Sequence, residues 1–194
     1  LPPPLEKEEE IDCVVKCQQG DIDARNKSIS QFELQCKAAH DLGIPIVSLC
    51  TGSRNPESKW KWHDDNLKED AWKALIDTTR QIIKFAEKYD VILGVETEAS
   101  NIINTADKAR QYLDEINSPY LKIIMDGANL FHPGQQQPMQ ETLEYAFKVL
   151  GKDIVLAHAK DFSYDGNLKF VAAGEGELDF VYFIQLLKQY GYDG

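Results

Sequence analysis

Val91-Ile-Leu-Gly-Val-Glu96-Thr-Glu98-Ala-Ser-Asn101 opens as an apolar run and stops abruptly on two carboxylates and an amide. A strand covered on both faces is apolar throughout, so polarity arriving only at its C-terminal end carries information. In α/β folds, ligands sit outside the carboxyl ends of the strands. Thirty residues beyond Glu96, Leu121-Lys-Ile-Ile-Met-Asp126 closes on one acid. Thirty-two residues further on, Ile154-Val-Leu-Ala-His158 closes on an imidazole. Three strand ends, each one strand-helix unit apart, offer Glu, Asp and His to one place.

The chain around this stretch has 194 residues, 43% of them hydrophobic and 27% charged, enough for one buried core. A single domain over 1–194 is expected, with the Pro- and Glu-rich residues 1–10 as a flexible lead-in. A net charge of −11 argues against nucleic acid and anionic membrane surfaces as partners. It leaves room for a phosphorylated small substrate in a local basic pocket. Cys13, Cys17, Cys36 and Cys50 show no zinc-finger spacing, and reduced thiols in a cytoplasmic protein are expected. No signal peptide is visible, and no apolar run approaches the ~18 residues of a membrane span. The chain begins with Leu and ends at Gly191-Tyr-Asp-Gly194, a turn poised to enter another strand, so an incomplete copy of a longer protein is expected.

Taken in order, Ile11–Cys17 is a first strand, Asp21–Lys27 a polar loop, and Ser28 or Ser30 caps a helix. The inner residues of that helix are Phe32, Cys36, Ala39 and Leu42, and Gly43 ends it. Ile44–Cys50 is a second strand. Thr51–Asn66 is a loop longer than a compact connection needs, which gives it a functional cast. A helix over 68–89 buries Ala71, Leu75, Thr78, Ile82, Phe85 and Ala86. After the Glu96 strand, Ile102–Ile116 forms a helix capped by Asn104 or Thr105. Another extended loop, 127–138, follows the Asp126 strand, and Met139–Leu150 is helical up to Gly151. Beyond the His158 strand, Asp161–Asn167 is a turn, Leu168–Ala173 a sixth strand, and Asp179 caps a last helix.

Strand and helix alternate with no internal hairpin, which predicts parallel strands joined by right-handed crossovers. Six strands at about 30 residues per unit, plus one missing unit at each end, make the eight strands and about 250 residues of a (β/α)8 barrel. The first and last strands would be absent from this chain. An open doubly wound sheet would carry a G-x-G-x-x-G turn, and none is present. A six-stranded arc exposes two edges, so self-association is expected.

Two carboxylates and one imidazole with open positions suit Mn2+, Mg2+, Co2+ or Zn2+. Glu96, Asp126 and His158 are therefore candidate metal ligands. Lys160 neutralises a substrate oxyanion or phosphate, or pairs with Asp161 or another acid of the rim. Asn129 donates to a substrate hydroxyl, or serves as a turn residue. Glu98 and Asn101 either orient Glu96 or touch substrate. In the long loop, Arg54, Trp60 and His63 can close over a substrate by stacking plus charge; the two Trp can equally form a subunit interface.

From about Asp23 to Gly194 the chain resembles the sugar phosphate isomerase/epimerase family of xylose isomerase-like TIM barrels. The resemblance rests on Leu49-Cys-Thr-Gly-Ser-Arg-Asn-Pro56, Gly94-Val-Glu-Thr-Glu98 with Ser100-Asn101, and Met125-Asp-Gly-Ala-Asn-Leu-Phe131. His158-Ala-Lys-Asp161, Gly174-Glu-Gly-Glu-Leu-Asp-Phe180 and Gly191-Tyr-Asp-Gly194 complete it. It implies a divalent metal at the C-terminal mouth of the barrel, with Glu96, Asp126 and His158 on three of four ligand positions. The fourth, a Glu, would lie beyond the Gly-Tyr-Asp-Gly turn. Asn129 departs from the His often found at its position. The implied activity is isomerisation or epimerisation of a small sugar, sugar phosphate or polyol, by proton abstraction next to a carbonyl, with Glu96 as the candidate base, to give an enediolate. A dehydratase on the same site is the nearest alternative. An endonuclease IV-like phosphodiesterase is disfavoured by the four His and the negative charge, and a non-catalytic binding barrel is the third reading.

Overall fold

The computed structural model describes residues 22–134 and 137–194. Its centre is a four-stranded parallel sheet of β1 (Ile46–Leu49), β2 (Ile92–Glu96), β3 (Leu121–Asp126) and β4 (Ile154–His158), paired in chain order. Five helices accompany it: α1 (Ile22–Leu42), α2 (Glu69–Tyr89), α3 (Ala106–Ile116), α4 (Met139–Leu150) and α5 (Phe180–Gln189), each packed on the next. None of the described helices is long and apolar enough to cross a membrane.

Alternation along each strand sorts residues between two faces. Leu49, Leu93, Val95, Leu121, Ile123 and Met125 join the buried cluster formed with the helices. Ile124 is fully buried yet stands outside that cluster, on the opposite face with Gly94, Glu96 and Asp126. A Cβ on Gly94 would come within 2.7 Å of Ile124 Cγ1 and 3.2 Å of Ile46 Cγ2, so the inner face is closely filled below the acids. The amphipathic helix α2 supplies Ala71, Leu75, Thr78, Ile82 and Ala86 to the core as the spacing predicts, while Phe85 is partly buried.

The pairing of β3 with β4 contains one irregularity. Ile123 faces Ile154, but Ile124 faces Leu156, so Val155 is an extra residue on β4. Without it, Asp126 would face Ala157; with it, Asp126 faces His158. One residue of slip exchanges the faces of a strand. Ile154 and Ala157, three apart, both pack on the helix-side core, as a bulge between them requires.

Several expectations change. The strand expected at Ile11–Cys17 lies outside the described residues. Residues expected as a polar loop before α1 are helical from Ile22, with Asn26 and Lys27 exposed to solvent. Neither Ser28 nor Ser30 is therefore a cap: Ser28 is buried, and Ser30 donates to Asn26 O at 2.9 Å. Leu42 is 74% exposed, although Phe32, Cys36 and Ala39 are buried. Thr105, rather than Asn104, caps α3 by accepting Lys108 N–H at 3.2 Å. Ile102 and Ile103 precede that helix as fully buried loop residues.

The largest correction concerns the sixth strand. β5 (Asp161–Tyr164) and β6 (Leu168–Val171) form an antiparallel hairpin, a sheet of their own. The Asp165-Gly166 pair turns the chain, with Gly166 at φ 97. A hairpin does exist, and the unit count used to reach eight strands included a strand that is not in the parallel sheet.

Asp161 anchors that hairpin. Fully buried, its carboxylate accepts N–H groups from Phe162 at 2.8 Å, Gly174 at 3.0 Å, Gly176 at 2.8 Å and Leu178 at 2.9 Å. A Cβ on Gly176 would fall 2.3 Å from both Asp161 Oδ1 and Phe162 O, so only glycine permits this approach. Burial raises the Asp161 carboxyl, but the four donors outweigh it and hold the group below the usual carboxylate range. A depressed folded value contributes stability present above the unfolded value of about 3.9, and lost as pH falls through the folded one. Asp161→Asn should destabilise by about 3 kcal/mol at pH 7 in chemical unfolding, with a smaller stability loss below about pH 4 than the parent.

Candidate functional site

Parallel pairing aligns the carboxyl ends of β2, β3 and β4, and the Val155 bulge brings the third into step. Glu96, Asp126 and His158 thereby converge, with one potential ligand atom from each within 4.8 Å of the others. Asp126 is nearly sealed, its side chain 1% exposed, whereas Glu96 is 15% and His158 42% exposed. His158 Nδ1 stands 3.5 Å from Glu96 Oε1. The open side of the cluster is the imidazole side.

The electrostatics favour a cation. Burial, and then the neighbouring Asp126 charge and a hydrogen bond with it, push the Glu96 carboxyl up to about 7, against the opposing pull of His158 and Lys160. A divalent ion relieves that crowding, and two carboxylates plus an imidazole suit an ion that prefers oxygen and nitrogen donors. Among the described residues this is the group of three that fits an ion.

Around the triad the polar residues interlock. Asp126 Oδ1 accepts Ala128 N–H at 2.9 Å and Asn129 N–H at 3.3 Å, closing the turn after β3. The Asn129 amide donates to Glu96 Oε1 at 2.6 Å and accepts from the Lys160 ammonium. Lys160 Nζ also lies 3.1 Å from Asp126 Oδ2 and 4.1 Å from the Phe170 ring centroid. The rim acid that pairs with Lys160 is thus Asp126, since the carboxylate of Asp161 is engaged by backbone donors.

The remaining expected substrate contacts divide. Trp60 and Glu98 line a cavity of about 550 Å3 at the mouth, together with Trp62, Phe131, His132 and Phe170. Asn101 does not reach it. Fully buried, it accepts from Gly52 N and donates to Lys59 O at 3.4 Å and Ser100 Oγ at 3.2 Å, tying the long loop to the end of β2. Asn66 makes a second tie, to Arg54 N at 2.6 Å and Ser100 O at 3.0 Å. Arg54 bonds Asp70 at 3.2 Å, and His63 accepts Asp65 N–H at 3.2 Å to cap the short 3-10 helix Asp64–Leu67. Both are held on the α2 side of the loop. Phe170 is not among the expected site residues: it lies on β6 and pairs with Phe162, and only that hairpin pairing, which the sequence does not announce, brings it to the mouth.

Comparison with known proteins follows this geometry. The chain is 26% identical over 158 residues to L-ribulose-5-phosphate 3-epimerase UlaE of Escherichia coli O157:H7, a match covering 80% of this chain and 50% of the relative. It spans about half the length of the curated relatives it matches. Among solved structures, a xylose isomerase-like TIM barrel protein from Mycobacterium smegmatis in complex with magnesium superposes with TM-score 0.72 at 17% identity, over 90% of this chain and 60% of that one. The IOLI protein with a bound zinc atom superposes with TM-score 0.69 at 22% identity, over 90% and 60% of the two chains. These likenesses show the fold, a TIM barrel of which this chain forms part. The sequence profile described as xylose isomerase-like TIM barrel matches residues 13–194, and the chain belongs to that family.

Proposed function

We propose that the intact protein is a divalent-metal-dependent isomerase or epimerase of a small sugar or sugar phosphate. The observation that carries this is the convergence of Glu96, Asp126 and His158 at the carboxyl ends of adjacent strands. Support comes from relatives named as L-ribulose-5-phosphate 3-epimerases and from zinc- and magnesium-containing neighbours of the same fold.

Glu96, Asp126 and His158 would hold the ion, which when bound draws electron density from substrate oxygens. The rest of the chemistry belongs to the chain. Glu96, at the end of β2 beside Asp126 and His158, suits the removal and return of a proton beside a carbonyl. The Asn129 amide fixes the carboxylate through Oε1. Trp60, Trp62, Phe131 and Phe170 give apolar faces on which a sugar ring or chain can stack. Glu98 and His132 supply polar contacts to hydroxyls. Ser100 and Asn104 line the same cavity, so polar contacts as well as apolar shape would select the substrate.

A panel of ketoses and ketose phosphates, with product stereochemistry read by NMR, tests the assignment. Turnover should require added Mn2+, Mg2+, Co2+ or Zn2+ after chelation, and Glu96→Gln should lower kcat by about 10^2–10^4. Full turnover by the chelated protein or by Glu96→Gln would rule the proposal out. Accumulation of a dehydrated product would move the assignment to a lyase on the same ligands. Trp60→Ala should raise KM with little change in kcat, the mark of a contact made equally in ground and transition states.

A further inference from the structure

The two oxygens of Asp126 face different tasks. Oδ1 is committed to the backbone N–H groups of Ala128 and Asn129. Oδ2 carries the Lys160 ammonium at 3.1 Å. With the side chain 1% exposed, Oδ2 is the oxygen that an ion bound to Asp126 must share with that ammonium. Like charges in one low-dielectric pocket repel strongly, so an ammonium and a divalent ion do not both sit against Oδ2.

We propose that Lys160 is a resident counter-ion of the metal site, neutralising Asp126 until a divalent cation takes Oδ2 and sends the ammonium across the Phe170 face into the mouth. This rests on the metal-dependent reading given above. The Lys side chain is a compact charge on a flexible four-carbon stem, able to change partners without moving the backbone. Phe170 supplies the track, because a ring face attracts a cation and Nζ is already 4.1 Å from its centroid. The same ring lines the mouth with Glu98, whose carboxylate gives the displaced ammonium a destination. Asn129 keeps its bond to Glu96 through Nδ2 while releasing Lys160 from Oδ1. Metal loading then places a positive charge beside the substrate cavity, ready for an anionic or electron-rich substrate oxygen.

The test measures metal binding by calorimetry with Mn2+ and Zn2+ separately, and thermal unfolding in chelator, on the intact protein. Lys160→Met removes the competitor and should bind each ion about tenfold tighter. Its metal-free Tm should fall by roughly 5–10 °C, because Asp126 is left as an uncompensated buried charge. Adding Asp126→Asn to Lys160→Met should restore the metal-free Tm, a rescue that lost packing alone does not give. If Lys160→Met does not fold, Lys160→Gln should show the same gain in affinity. Metal binding by the neutral variant that is equal to or weaker than the parent's, or an unchanged metal-free Tm, would overturn the exchange while leaving the metal site intact. Binding of neither ion by the parent would overturn both readings.

Discussion

A buried carboxylate has to be answered, and Asp126 is the one this site is built around. Solvent is shut out from it, so its charge is met by two backbone N–H groups on one oxygen and an ammonium on the other. Asn129 donates to Glu96, whose own proton affinity rises through burial first and then through the Asp126 charge beside it. The site is a set of mutual obligations among charges, with the neutral amide of Asn129 between the acid and the ammonium.

That arrangement depends on backbone pairing as much as on side chains. Parallel strands bring their carboxyl ends to one edge, but alternation presents only every second residue to the interior. The Val155 bulge is the local exception that makes His158 the partner of Asp126 in place of Ala157. Beneath, Ile124 and Ile46 fill the space beside Gly94 and close the inner face below the acids. Above, Asn101 and Asn66 hold the long loop against the end of β2, so Trp60 and Trp62 overhang the mouth on a buried polar frame.

Much of this was legible in the chain. The apolar runs ending on Glu96, Asp126 and His158 mark their strands because burial leaves polarity only at the ends, and the amphipathic period of α2 is unmistakable. What escaped was non-local. Nothing in Ile154–His158 announces a bulge, since the extra residue is defined by pairing with β3. Asp161–Tyr164 is short and half polar, so its strand exists only through its partner Leu168–Val171. Asn101 resembled a ligand-facing residue for the same reason that it makes a good clamp. An amide at a strand end serves either purpose, and only burial tells them apart.

The hairpin of β5 and β6 contributes Leu168 and Phe170 to the mouth while sharing no strand pairing with the parallel sheet. Its own position is set by Asp161 and the surrounding N–H groups, not by the registers that align the acids. The molecule therefore separates the part that holds Glu96, Asp126 and His158 together from the part that lines the cavity above them. Residues on the hairpin arm can drift in size and shape while the charge pattern below keeps its spacing. One scaffold with a replaceable rim lets the cavity lining vary while the three strand ends stay as they are.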